Sequence, residues 1–127
     1  MNRVVTMMGR AILVAMMCVA VLLAAGCGKP SATQLAEGMV DSMARGDFAS
    51  ATKDFDAAMN AALPAEKLGQ IWSRLMAQYG PFKSRTGSRE AQEAGYQMVY
   101  VTCQFEKTTA DIKVVFDKDG KIGGLWF

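Results

Sequence analysis

The spacing of apolar residues changes once along this chain, at Gly80-Pro81, and that change limits the fold more than any other feature. Before it, apolar residues recur every three or four positions. After it they alternate. Leu68, Ile71, Trp72, Leu75, Met76 and Tyr79 mark one face of a helix that carries Pro64 in its first turn. Upstream, Leu35, Met39, Val40 and Met43 predict a first helix, with a capping box from Ser31 and Gln34 at its start and Gly46 at its end. Asp47 is placed to cap a second helix whose buried stripe is Phe48, Ala51, Phe55 and Met59. Past Phe82, Tyr96 to Phe105 alternates between two faces and Ala110 to Phe116 is a second strand. Asp117-Lys118-Asp119-Gly120 is a hairpin turn, and Lys121 to Phe127 is a third strand. Phe82 to Ser88 is a candidate fourth. Helices first and antiparallel strands afterwards predict an α+β fold, with about three N-terminal helices packed on a curved antiparallel sheet of three to four strands.

The first 26 residues belong to a different kind of segment. Arg3 and Arg10 precede an uncharged run from Ala11 to Ala25, the layout of a signal peptide. That run is shorter than the roughly 20 apolar residues a membrane-spanning helix needs. Leu23-Ala24-Ala25-Gly26-Cys27 resembles the lipobox of bacterial lipoproteins, although the leucine stands one position further from the cysteine than usual. Ordinary signal peptidase would cut the same bond, since Ala24 and Gly26 are the small pair it accepts. The expected organisation is a signal peptide over 1–26, a lipidated tether over 27–33 and one domain over 34–127. On this reading the membrane is reached through lipid at Cys27. With Gly28 rather than Asp next, the protein is expected at the outer membrane, facing the periplasm, if the cell has two membranes.

Removing residues 1–26 from the 127-residue chain leaves 101, enough for one modest core. It also takes Arg3 and Arg10, so 14 basic against 12 acidic residues becomes 12 against 12. A neutral domain offers no general attraction to nucleic acid, and Lys83, Arg85 and Arg89 read as a solvated strip. Of the three cysteines, Cys18 leaves with the signal peptide and Cys27 is the lipidation candidate. Cys103 is then alone in an apolar strand and reads as a buried, inert thiol.

The mature chain also resembles a known family. Gly46-Asp47-Phe48, Phe55-Asp56-Ala57-Ala58-Met59, the helix around Trp72, Gly80-Pro81-Phe82, Tyr100 to Glu106 and Val115 to Leu125 together resemble the bacterial domain of unknown function 3887. The resemblance runs from about Gln34 to Phe127. It implies a cone-shaped α+β fold similar to the nuclear transport factor 2-like superfamily. It also implies a setting as a secreted or lipid-anchored single domain, or as a domain preceding an α/β-hydrolase. It implies no particular activity.

The chain contains no histidine, which removes the commonest general base and metal ligand. It has no Gly-x-Ser-x-Gly elbow, Walker loop or Cys-x-x-Cys pair. Asp117-x-Asp119-Gly120 reads as a hairpin tip, because a calcium loop opened at Asp117 would need a glutamate at a twelfth position past Phe127. No cofactor and no metal are expected. The expectation is a binding or interaction module for a protein or a small apolar ligand, not an enzyme. Its partner face would be Tyr96, Met98 and Tyr100 beside Val115, on the side of the sheet away from the helices, and a homodimer or an envelope protein would be the partner. The alternative is a small pocket enzyme drawing on Asp54 or Asp56 with the hydroxyl of Tyr79, Tyr96 or Tyr100.

Overall fold

A computed structural model describes residues 29–127. The segment expected to be a signal peptide, residues 1–26, and Cys27 lie outside the described residues. Among the described residues four helices come first: α1 (Ala32–Ala44), α2 (Phe48–Ala51), α3 (Ala57–Ala62) and α4 (Ala65–Tyr79). Four strands follow, β1 (Phe82–Glu93), β2 (Tyr96–Phe105), β3 (Thr109–Phe116) and β4 (Ile122–Trp126). Each strand pairs antiparallel with the next, giving one open sheet in the order β1-β2-β3-β4. This arrangement is of the α+β class.

The capping box of α1 forms as its sequence predicts: Gln34 N–H donates to Ser31 Oγ, and Ser31 N–H donates to Gln34 Oε1. The single second helix is a correction. It divides into α2 and α3, and Phe55 between them is in extended backbone bridging Ile122. Two hydrogen bonds hold that bridge, Asp56 N to Ile122 O at 2.9 Å and Ile122 N to Asp54 O at 2.8 Å. Local chemistry helps the break, because the Thr52 hydroxyl bonds back to the carbonyl oxygens of Phe48 and Ala49, and Asp56 starts α3 by accepting from Met59 N. Asp47 caps α2 as expected, accepting from Ser50 N, and hydrogen bonding with the Ser50 side chain, then with its backbone N–H, holds the carboxyl below its usual range. Pro64 stands at the N-cap of α4, one place before the first turn, where its missing N–H still costs nothing.

Gly80 closes α4 with φ +84°, a conformation that favours glycine. A Cβ there would also lie 2.8 Å from Glu106 Cβ, so the helix end and the β2–β3 turn can approach this closely only around a glycine. Two backbone bonds fasten the junction, Lys107 N to Tyr79 O and Glu106 N to Pro81 O.

The core lies between α1, α4 and the inner sheet face. Val99, Val101, Cys103 and Phe105 are fully buried there, with Trp72, Phe55 and Leu68 packed among them and Leu75 partly buried at the edge. Burial pushes the Cys103 thiol up to about 12, the charge of Asp111 adds to the rise, and Arg85 opposes it. In a chain of residues 27–127 carrying Cys27→Ser, Cys103 is the one thiol left. We expect it to react with an aromatic disulfide reagent only as fast as the fold opens, and at once in denaturant. Rapid labelling of the native chain would show that the strand is not covered.

Strand β1 is longer than the 82–88 segment expected from sequence, and its first three inner positions, Phe82, Arg85 and Ser88, recur every third residue, not every second. Register shifts between Phe82 and Ser84 and between Arg85 and Gly87 cause this, each inserting an extra residue that rotates the strand beyond it. The solvated strip of Lys83, Arg85 and Arg89 is therefore another correction. Arg85 turns toward α1, where it grips Asp41 through two bonds of 2.7 and 3.0 Å and meets Glu37 at 3.3 Å. The Asp41 hydrogen bond raises the Arg85 pKa further. Arg89 points to the opposite side of the sheet, opposite Tyr100.

Candidate functional site

With the odd-numbered residues of β2 from Val99 to Phe105 committed to the core, strand geometry sends Tyr96, Met98, Tyr100 and Thr102 to the outer face. Register then defines the neighbours. Tyr100 lies between Arg89 and Lys113, and Met98 lies between Ala91 and Val115. The four residues expected to form a partner face thus do share one face, but not equally. Tyr96 is 55% exposed, whereas Met98 is 4% exposed and forms the floor. Its sulfur lies 3.7 Å from the Tyr100 hydroxyl. Tyr100 is half-buried, with the Arg89 guanidinium carbon 3.9 Å from its ring centre and its hydroxyl donating to Glu93. Val115 is also half-buried.

Trp126 completes this face and was not among the residues that sequence reasoning picked out. Strict alternation from the buried Ile122 would turn Trp126 inward. The pairing slips instead: Phe116 faces Ile122 while Val115 faces Gly124, leaving Gly123 as the extra residue of a bulge. Ile122 and Leu125 therefore both pack on the core, and Trp126 emerges beside Lys113, 55% exposed. The far edge of its indole leans over Gly124, where a Cβ would lie only 2.6 Å from the ring. The two consecutive glycines were the available sign, since glycine inside a strand marks a bulge or a close approach.

The result is an open groove of about 410 Å³ floored by Met98 and Val115 and walled by Tyr96 and Trp126. Glu93 and Lys113 stand at its rim, 3.8 Å apart as an ion pair, and the Lys113 ammonium is 5.3 Å from the Trp126 ring.

The aspartates of the helical half, Asp54 and Asp56 the candidate bases among them, are mostly engaged elsewhere. Asp41 binds Arg85, Asp47 caps α2 and Asp56 caps α3 at 2.7 Å. Asp54 lines a separate open groove between α1 and α2, with Arg45 and Lys53. Asp56 and Tyr96 border one shallow recess of about 250 Å³ at the β3–β4 end. Tyr79 instead stacks edge-on against Phe105 in the core. In the hairpin tip, Asp117 accepts from the amides of Asp119 and Lys121, the turn chemistry read from the sequence. Among the described residues no helix is long and apolar enough to cross a membrane.

The fold and this face define a small α+β domain with an open, aromatic-walled groove on the side of its sheet away from the described helices. The chain belongs to the family described as protein of unknown function (DUF3887), whose model matches residues 36–125. It is also 29% identical over 83 residues to "Esterase EstD" of Thermotoga maritima, an overlap of 60% of this chain and 20% of the esterase. The chain therefore spans about a fifth of that relative's length. No solved structure matches it.

Proposed function

We propose that this protein is an exported lipoprotein, anchored through Cys27, whose domain is a binding module working through the outer face of its sheet. The observation that carries the reading is the groove itself: two aromatic side chains, each 55% exposed, flank a floor of Met98 and Val115 that no helix or strand among the described residues overlies. Large amphipathic rings bury much area on binding while their polar tips tolerate water, so an interaction surface favours them. The pocket-enzyme alternative is less well supported, because Asp56, the aspartate nearest Tyr96, already holds the Met59 amide. The esterase activity belongs to a relative of which this chain covers only a fifth. A place in the cell envelope accords with the same reading of Cys27, with the outer membrane as its site in a two-membrane cell.

The test uses the mature chain with Cys27→Ser, so that lipid cannot hold it, mixed with isolated cell envelopes and sedimented. We expect the chain to pellet with the envelopes and the Tyr96→Ser, Tyr100→Ser double variant to stay in the supernatant. Equal sedimentation of the two, with light scattering showing an unchanged mass, would assign the outer face to plain solvent-exposed sheet.

A further inference from the structure

We propose that the groove between Tyr96 and Trp126 is a saccharide site, taking a neutral pyranose ring that stacks on the exposed indole. This rests on the reading of the outer face as a binding surface and adds the class of ligand. Charge argues first. Lys113 already lies 5.3 Å from the Trp126 ring and 3.8 Å from Glu93, so the groove holds one cation and one anion that offset each other. To gain a charge partner, a cationic ligand would have to displace Lys113 from Glu93, and an anionic one would have to displace Glu93 from Lys113. A neutral ligand meets neither penalty.

Polarity argues second. A wholly apolar ligand would strip water from the Glu93 carboxylate and the Lys113 ammonium without replacing their hydrogen bonds. A pyranose has an apolar face of C–H bonds and hydroxyl groups around its edge, which fits an aromatic wall beside charged donors and acceptors. The Tyr96 hydroxyl adds a further polar group on the opposite wall. Shape argues third. The indole leans into space that exists only because residue 124 has no side chain, and more than half of the residue's surface stays free. The volume of about 410 Å³ falls near the small end of the roughly 300–1,000 Å³ of small-molecule sites.

The experiment titrates the mature Cys27→Ser chain with chitotetraose and, separately, cellotetraose, following tryptophan fluorescence and heat. Trp72 is buried at 2% exposure, so a change in emission on binding reports Trp126. We expect saturable binding of at least one of the two. Trp126→Ala should weaken it about tenfold or more with an unchanged melting temperature. Gly124→Val keeps the indole but displaces it from its seat, and should weaken binding as well. Silence from both saccharides, or full binding by Trp126→Ala, would overturn the proposal. If the saccharides are silent while envelope retention still depends on Tyr96 and Tyr100, the ligand class is wrong and the binding module stands. If retention is lost as well, both readings fall. Retention abolished by protease treatment of the envelopes would identify a protein partner and also count against the saccharide.

Discussion

Replacing Trp72 with Ala is expected to destabilise the domain by roughly 3–5 kcal/mol, the range for truncating a large buried aromatic. Total stabilities of small domains are about 5–15 kcal/mol, so this one change would remove much of what holds the fold. Trp72 is 2% exposed and stands where α4 crosses the start of β1 and the end of β2. Its ring centre is 5.7 Å from Phe82 and 5.8 Å from Phe105, and Phe105 in turn contacts Tyr79. These tilted and edge-on contacts add to the area that the indole buries. Collapse into the cavity is restricted, because the Tyr79–Lys107 and Pro81–Glu106 backbone bonds fix the helix end to the β2–β3 turn. Chemical denaturation would measure the loss, and Trp72→Phe should recover part of it. An unfolding midpoint unchanged in Trp72→Ala would mean that the helix packs on the sheet without this side chain.

Cys27→Ser is expected to move the protein from the membrane pellet to the soluble fraction. Each buried methylene contributes about 0.8 kcal/mol, and a single myristoyl chain binds only marginally, with a constant on the order of 10⁴ M⁻¹. Firm anchoring therefore needs the several acyl chains that a lipoprotein cysteine carries. The helical domain begins at the Ser31 cap, four residues after Cys27. At full extension that tether spans no more than about 14 Å, so the domain would be held close to the membrane surface. Radiolabelled palmitate should enter the wild type and not the variant. If it enters neither, ordinary signal peptidase makes the cut and the protein is released. If it enters the wild type, sucrose-gradient fractionation of a two-membrane cell tests the outer-membrane placement.

The sequence by itself determined everything governed by near neighbours along the chain. The Ser31–Gln34 capping box, the α4 stripe around Trp72, the Asp117 turn and the two faces of β2 depend on spacings within a few residues, and each forms as read. Tertiary structure decided the rest at points where a partner strand outweighs local preference. The spacing from Phe48 to Met59 fits one helix, yet Phe55 leaves it because its neighbours' backbone groups pair with Ile122, more than sixty residues away. The two register shifts of β1 turn Arg85 onto Asp41 and away from Arg89, and the bulge at Gly123 delivers Trp126 to the outer face. Side-chain direction in a strand has a period of two, so one inserted residue reverses every side chain beyond it. Whether that residue is inserted depends on the register of the opposing strand, and no spacing along a single strand records it.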